Sequence, residues 1–346
     1  MSQERFHIAE WYGHPFLALT DAERLALADH EVGGAAMSKA DLDRLADLER
    51  QTQLGNLRAR EEKRLEELRR KLEKQQAEER PCPFKINSAH PTCTKPGGVC
   101  SIRIYGEDEG RIAPVEGDRG RIRALCPARF HQGGLVFDAI GESLLDDPRA
   151  NRVGEVGFLK STGNLDSSAG EDVGRIDMIL VKGNGGVSDA IDWVAVEIQA
   201  VYFSGEKMSL EFDHIKDTGG ALSMARVKRR PDYRSSGVKR LMPQLLTKVP
   251  TLRRWGRKMA VVVDAPFFQS MGTMETVSDV SNADIVWFLV DFVENPNGGP
   301  FRLTVVSEVC TTLDAATLGL TGGLPVTKAE FEQRIRSKTK QDHIVR

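Results

Sequence analysis

The chain has 346 residues, of which 40 % are apolar and 28 % are charged, and its formal net charge is −2. This length allows one large core or two modest ones, and the composition is ordinary for a soluble globular protein. The charge balance argues against a general polyanion binder, although a cleft can still concentrate positive charge locally.

No stretch of the sequence resembles an export signal or a membrane span. Residues 1–6 lack an apolar signal-peptide core, and no apolar run approaches the roughly 18 residues that a membrane-spanning helix needs. We therefore expect a cytoplasmic protein with no membrane partner.

The first 20 residues form an aromatic-rich opening segment, which contains the run Ile8-Ala-Glu-Trp-Tyr-Gly-His14. Its most distinctive side chains are His7, Trp11 and His14. We expect these three to pack against the rest of the protein rather than to take part in chemistry.

Residues 21–80 form a highly charged segment that is expected to be helical. Thr20 and Glu23 have the spacing of a capping box, which predicts a short helix ending near Gly33. Residues 39–80 contain twelve basic and eleven acidic side chains, which favours one long helix or a helical hairpin. A short apolar stripe is formed by Leu65, Leu68 and Leu72. The segment either packs on its own body, which we favour, or pairs two protomers.

Four of the five cysteines lie close together, at positions 82, 93, 100 and 126. A chain without an export signal meets a reducing environment, which disfavours disulfides, and four thiolates suit one tetrahedral metal ion. Such a site has no open position for a substrate, so residues 81–134 are expected to form a small structural metal-binding subdomain. Zinc and iron both accept this ligand set, and the alternative is four unrelated thiols.

The pattern of apolar and turn residues in 135–346 predicts helices and strands in the order α-β-β-β-α-β, followed by two further strands. The predicted helices are 135–145 and 238–248, and the predicted strands are 153–159, 175–181, 193–203, 258–264, 285–292 and 301–306. Phe267, Phe268 and Trp287 are expected in the core.

Two acidic residues interrupt the apolar pattern of the second and third of these strands. Period-two alternation places Val194, Val196, Ile198 and Ala200 on one face, and Glu197 and Gln199 on the other. The glycine-rich turn at 182–186 permits a hairpin, so Asp177 is expected beside Glu197. Because adjacent carboxylates repel unless a divalent cation lies between them, the pattern predicts a magnesium site. The alternatives are a surface acid near a turn for Asp177 and an edge-strand charge for Glu197.

A local basic stripe follows these strands. Residues 226–258 contain twelve Lys or Arg and one acid, Asp232. Such a stripe favours an anionic partner, although a solvated basic loop is the simpler alternative.

Several motifs together resemble one known family. They are the opening run from Ile8 to His14, Cys82-Pro-Phe84 with Gly98-Val-Cys100 and Cys126-Pro127, Val196-Glu-Ile-Gln199, and Asn282-Ala-Asp-Ile-Val-Trp-Phe288. With the αβββαβ order, they resemble the NotI restriction endonucleases, a type II family of the PD-(D/E)xK nuclease superfamily with a four-cysteine iron site. The resemblance covers most of the chain except about residues 24–80, which look like an insertion.

The resemblance implies an α/β (α+β) fold with a PD-(D/E)xK core, in which helices flank a mixed central sheet. The expected domains are an N-terminal segment at 1–20, a charged helical insertion at 21–80, the four-cysteine subdomain at 81–134, and the catalytic domain at 135–346.

The resemblance also implies that Cys82, Cys93, Cys100 and Cys126 bind a structural iron, and that Asp177, Glu197 and Gln199 form the catalytic set. Gln199 stands where a lysine is commonest in the superfamily, and no Pro precedes Asp177, so the metal must supply more of the electrostatic stabilisation.

Phosphodiester hydrolysis assigns roles to these residues. Asp177 and Glu197 would bind Mg²⁺, with the Ile198 carbonyl as a further ligand. Gln199 would orient the attacking water, because an amide is not a base at neutral pH. Glu155 is expected either to bind the metal or to support its ligands.

The resemblance implies hydrolysis of double-stranded DNA by a homodimer and suggests a GC-rich palindrome as its site, which matches a dimer because each protomer cuts one strand. A cognate DNA methyltransferase would protect the host. Candidate phosphate or base contacts are Arg226, Lys228, Arg229, Arg230 and Arg234. The alternatives are a non-catalytic DNA-binding module organised by the cysteines, and a nuclease of repair or nonspecific defence.

Overall fold

The computed structural model describes residues 4–29, 39–53, 58–77, 80–85, 91–162, 172–183, 191–322 and 326–339. Its strands are β1 (Glu4–Trp11), β2 (His14–Pro15), β3 (Val99–Asp108), β4 (Arg111–Pro114), β5 (Arg123–Ala124), β6 (Asn151–Lys160), β7 (Asp172–Val181), β8 (Trp193–Ile198), β9 (Phe203–Gly205), β10 (Arg229–Pro231), β11 (Met259–Asp264), β12 (Ile285–Val293) and β13 (Arg302–Thr311).

The helices are α1 (Asp21–Asp29), α2 (Lys39–Gln53), α3 (Ala59–Ala77), α4 (Leu135–Leu145), α5 (Ser209–Asp217), α6 (Tyr233–Ser236), α7 (Met242–Arg254), α8 (Ala265–Gln269), α9 (Leu313–Thr321) and α10 (Lys328–Thr339). Within the described ranges, every helix is too short or too polar to cross a membrane. The predicted helix end at Gly33 and most of the predicted turn at 182–186 lie outside the described residues.

The central sheet has six strands in the order β13-β12-β11-β8-β7-β6. β6, β7 and β8 are antiparallel neighbours, β8, β11 and β12 run parallel, and β13 returns antiparallel to β12. Helix α4 precedes β6, and α5 to α7 lie between β8 and β11. This confirms the predicted α-β-β-β-α-β order and the mixed sheet flanked by helices.

The two faces of the central sheet pack into two different cores. Val194 and Val196 of β8 belong to one core together with α4, whereas Ala195 belongs to the other core together with α7 and α9. Because side chains alternate along a strand, Glu197 follows Ala195 onto the face that α7 covers. Phe267 and Trp287 are fully buried, as predicted.

The predicted strand at 193–203 is too long, because β8 ends at Ile198. The Gln199 N–H still donates to the Val262 carbonyl of β11 at 3.0 Å, but the Val201 N–H donates to the Ala124 carbonyl at 2.9 Å. The chain therefore leaves the central sheet at Gln199 and pairs with the segment that contains the cysteines.

A second sheet, in the order β2-β1-β3-β4 with β5 also on β3, was not predicted. It joins the opening segment to the cysteine segment, because β1 pairs with β3. Trp11 is fully buried and its Nε1–H donates to the Gly97 carbonyl at 2.7 Å, and His7 is also buried. Both therefore pack as predicted, whereas His14 is exposed.

Buried acidic residues fix the second sheet to the central sheet. Glu10 and Arg129 are both 0 % exposed and form a salt bridge of 2.7 Å, and the Phe301 N–H donates to the other Glu10 oxygen at 3.0 Å. Asp264, at the end of β11, accepts the Ala124 N–H at 2.9 Å. A buried charge is tolerated only when it is paired or hydrogen-bonded in this way, so these contacts specify one docking geometry.

The charged segment contains a helical hairpin, not one long helix. α2 and α3 pack together through Leu45, Leu48, Leu65, Leu68 and Leu72. Salt bridges such as Arg69–Glu49 at 3.2 Å also join them. The Thr20–Glu23 capping box at the start of α1 is confirmed, because the Thr20 N–H donates to Glu23 at 2.8 Å and the Glu23 N–H donates back at 3.3 Å.

Candidate active site

Asp177 and Glu197 lie side by side on neighbouring antiparallel strands. Met178 of β7 pairs with Val196 of β8, so the next pair along the ladder is 177 with 197. The Ile198 N–H donates to Asp177 Oδ2 at 3.2 Å, which holds the Asp177 carboxylate against the end of β8. The two carboxylates thus share one site at the edge where β8 leaves the sheet.

The electrostatics of this site disfavour two ionised carboxylates. Glu197 is 6 % exposed, and burial, followed by the charge of Asp177, raises its pKa to about 7. The pKa of Asp177 is also raised, first by loss of hydration and also by Glu155, although its side chain keeps solvent contact. Without a cation in contact with both, the pair therefore retains a proton near neutral pH.

Lys248 is a site residue that the sequence analysis missed. Its Nζ lies 2.6 Å from Glu197 Oε2, and its side chain is only 4 % exposed. Lys248 lies on the buried face of α7. It has helical spacing from Leu245 and Leu252 of that helix and from Leu241 just before it. The sequence could have revealed this residue, because a lysine at a core position of an amphipathic helix needs an acidic or hydrogen-bonding partner nearby.

Gln199 follows β8 on the same side as Glu197. It is half-buried, and its Nε2–H donates to the Ala200 carbonyl at 2.6 Å. Its side chain lines a cavity of about 370 Å³ between the end of β8, the cysteine segment and the basic stripe. Gln199 thus follows the Glu197 strand directly and lines a space large enough for part of a ligand.

Glu155 lies opposite Asp177 on the edge strand β6. The flanking pairs Gly154–Met178 and Val156–Ile176 place it there. Its carboxylate is exposed and pairs with Arg175 at 2.8 Å, and its φ of 39° is in the left-handed region. Glu155 therefore influences Asp177 electrostatically while its own contact is with a cation.

The basic stripe begins beside the end of β8. β10, which starts at Arg229, pairs with β9, which starts at Phe203. Arg229 is half-buried and lines the same cavity as Gln199. The other predicted DNA contacts are exposed: Arg226, Lys228, Arg230 and Arg234.

The four clustered cysteines are all free thiols and pack together with Phe84 and Ala128. Burial is the largest cause of the raised pKa values of Cys93, Cys100 and Cys126. Backbone hydrogen bonds from Lys95, Gly13 and Ala128, respectively, act in the opposite direction and favour the thiolates. The chemistry of this donor set fits a thiolate-binding metal.

The geometry of a closed metal site is absent, however. In the described part of the chain, no group of three or more His, Cys, Asp or Glu residues is arranged to hold a metal ion. The cysteines are thus neighbours without the tetrahedral arrangement that the sequence analysis predicted for them.

Comparison with known protein families identifies a family for this chain. The family model described as restriction endonuclease NotI matches residues 66–303, which is more than half of the chain and includes the candidate carboxylates, Gln199, Lys248 and the four clustered cysteines. The match begins within α3, so α1 and α2 lie outside it. No curated protein matches the chain.

The raised pKa of Glu197 makes the stability of the metal-free protein depend on pH. Because this pKa is about 7 in the folded protein instead of 4.5, the folded state binds the proton more tightly than the unfolded state does. The stabilisation is complete below the ordinary pKa and is lost as the pH rises through about 7. In EDTA, we expect wild type to lose about 3 kcal/mol of unfolding free energy relative to Glu197→Gln between about pH 4 and pH 8.

Urea unfolding at each pH measures this difference. The control is Glu142→Gln, which changes an exposed carboxylate on α4 and should leave the pH profile as in wild type. Parallel profiles for wild type and Glu197→Gln would contradict the raised pKa.

Proposed function

Because this chain belongs to the NotI restriction endonuclease family, it is a type II restriction endonuclease that cleaves double-stranded DNA, and we propose that it does so with Mg²⁺ held between Asp177 and Glu197. When bound, Mg²⁺ would neutralise charge on the phosphate oxygens and lower the pKa of a bound water. We further propose that the domain at 135–346 is a PD-(D/E)xK nuclease core of the E-x-Q type.

The observation that supports this proposal most directly is the adjacency of the two carboxylates. One oxygen of Asp177 accepts the Ile198 N–H, and one oxygen of Glu197 accepts from Lys248. These contacts hold both carboxylates in place and engage one oxygen of each, so the remaining oxygens are available to a metal. Carboxylate oxygens are the protein ligands that Mg²⁺ prefers.

Gln199 and Glu155 complete the proposed site. Gln199 would leave the Ala200 carbonyl and hydrogen-bond the attacking water, which requires only a rotation of its side chain. Glu155 has two possible roles in this site. It would either give up its salt bridge to Arg175 and support the metal ligands, or keep the salt bridge and act on Asp177 through its charge. The Ile198 carbonyl, at the end of β8, is the proposed backbone ligand.

Lys248 supplies the positive charge that Gln199 lacks. When both are ionised, Asp177 and Glu197 together have two negative charges. Lys248, in contact with Glu197, reduces the net charge of the site to one negative charge. A divalent cation then makes the site positive, which suits the negative charge that develops on the phosphate in the transition state. Lys248 is thus a positioning residue, which acts through Glu197.

The substrate and partners follow from the family and from symmetry. We propose a homodimer that cuts a palindromic, GC-rich site, since two protomers related by a twofold axis match the two strands of a palindrome. The proposed partner in the cell is a DNA methyltransferase that protects the same site, and the proposed location is the cytoplasm.

The four clustered cysteines are proposed to bind one structural metal ion, iron or zinc. Cys82, Cys93, Cys100 and Cys126 would supply thiolates, and the backbone hydrogen bonds to three of them would stabilise the charge. A bound metal would tie the segment before β3 to the segment after β5.

DNA digestion tests the proposed activity. We expect wild type with Mg²⁺ to cut unmethylated GC-rich DNA into discrete fragments whose sequenced ends share one palindrome. EDTA should abolish cleavage, and Glu197→Ala should lower the rate by at least about 100-fold, because a metal ligand is lost. A smear of fragments would contradict site specificity, and cleavage that survives both controls would contradict the proposed metal site.

The role of Lys248 is tested by moving its charge. We expect Lys248→Met to lower the single-turnover cleavage rate by about 100-fold, because the site loses a cation. Adding Gln199→Lys to this variant should recover part of the rate, because a lysine then faces the same carboxylates from the strand.

The matched control is Arg253→Met on the same helix, where the side chain is exposed and 3.6 Å from Asp284. This control should cleave at the wild-type rate. Failure of Gln199→Lys to recover any activity in a folded double variant would indicate that Lys248 has only a structural role.

A further inference from the structure

Three cationic side chains from separate parts of the chain lie among the mostly apolar residues that line the cavity beside Gln199. Lys95 belongs to the loop between Cys93 and Cys100, Arg229 begins β10, and Arg240 lies just before α7. Arg229 alone was among the DNA contacts predicted from the sequence. Three like charges around one cavity repel one another, so their convergence disfavours the empty protein and favours an anionic ligand.

The contacts of these cations orient them without neutralising them. The Lys95 Nζ–H donates to the Leu125 carbonyl at 2.9 Å, and an Arg229 Nη2–H donates to the Phe203 carbonyl at 3.1 Å. The Arg240 guanidinium lies over the Tyr202 ring, 4.6 Å from its centroid. A carbonyl or an aromatic ring removes no net charge. Burial lowers the pKa of Lys95, Cys126 opposes this shift, and the neighbouring Arg229 and Arg240 add to it, so an anionic ligand would relieve the repulsion among the three cations.

One acidic side chain, Glu211, also lines the cavity, but the contacts that it makes are with two backbone N–H groups and with His7. Glu211 is 0 % exposed, and one of its oxygens accepts the N–H groups of Arg226 and Val227 at 2.9 and 3.0 Å. Its other oxygen lies 3.8 Å from His7 Nε2. The acid therefore belongs to the buried floor of the cavity, whereas Arg240 is exposed at its rim.

We propose that Lys95, Arg229 and Arg240 bind a backbone phosphate of the DNA substrate, next to the phosphate that is cleaved. The position follows from β8, because residues two apart on one face of a strand are separated by about 7 Å. Glu197 is at the proposed cleavage site, and Gln199 is two residues on and lines the cavity. The cavity therefore begins about 7 Å along the chain from Glu197, so a DNA strand whose cleaved phosphate lies at Glu197 would bring a neighbouring phosphate to the cavity. The inference rests on the proposed function, since Glu197 defines the cleaved phosphate.

In this proposal, the cysteine segment, β10 and the residues before α7 would all contact the same DNA strand. Arg240 lies immediately before α7, which holds Lys248 against Glu197. Binding of a phosphate at the cavity would therefore fix the DNA strand relative to the carboxylates, which is the positioning that in-line attack requires.

The salt dependence of DNA binding tests this site without any cleavage. Binding of a mixed-sequence duplex is measured in EDTA over a range of KCl concentrations for wild type, Arg240→Gln, Arg229→Gln and Lys95→Gln. Each variant should weaken binding several-fold and reduce the slope of log K against log[KCl] by part of about 0.9, which is the value for complete loss of one phosphate contact. Arg240→Gln is the main variant, because its exposed side chain can change without disturbing the fold.

The control is Arg336→Gln on α10, whose side chain is 78 % exposed and does not line the cavity. Its slope should equal that of wild type, and Arg240→Lys should keep most of the wild-type slope. A second measurement uses the cleavage site once it is known. A duplex with a neutral methylphosphonate at the adjacent phosphate should bind more weakly to wild type, and the loss of affinity should be smaller for Arg240→Gln, which has already lost one of the three cations.

The outcomes separate this inference from the proposed function. If wild type cleaves DNA with Mg²⁺ but the variants keep the wild-type slope, the phosphate site is wrong and the nuclease assignment stands. If the slopes fall as expected while wild type never cleaves DNA, the phosphate site stands and the proposed catalysis is wrong.

Discussion

The arrangement of this structure depends on the unfavourable electrostatic free energy of placing two carboxylates side by side. Asp177 and Glu197 occupy neighbouring positions on β7 and β8, and Glu197 is almost completely buried. Such a pair is unfavourable in the folded protein unless cations compensate it. Lys248 supplies one charge from α7, and the proposed divalent cation would compensate the negative charge that remains when both carboxylates are ionised.

The need for a cation beside Glu197 also determines where the surrounding helices and strands lie. α7 must lie on the Glu197 face of the sheet for Lys248 to reach, and its apolar residues Leu245, Val249 and Leu252 bury that face. On the other side of the site, Asp264 and Glu10 fix the second sheet against the central one through buried hydrogen bonds. The cysteine segment is thereby held beside Gln199, where Lys95 lines the cavity.

The central sheet could be predicted because its determinants are local. Alternation along β8 and the apolar runs of β11 and β12 identify strands, and the acids within β7 and β8 predict the candidate site, whose two carboxylates are indeed neighbours. Lys248 was missed because helical periodicity places it on the core side of α7 but does not say which strand it faces. β1 was missed because its partner is β3, far along the chain, and the opening residues have an aromatic composition without strict alternation. The end of β8 was misplaced because Val201 and Phe203 continue the apolar pattern while pairing with other parts of the chain.

The most direct test of the account is the position of a divalent cation. Crystals of the protein grown with MnCl₂, in which Mn²⁺ stands in for Mg²⁺, would locate the ion by anomalous diffraction at the manganese edge. The account predicts a peak in contact with both Asp177 and Glu197 that is absent from crystals of Glu197→Ala. A peak bound by other residues, or none at this site in an enzyme that cleaves DNA with Mn²⁺, would contradict it.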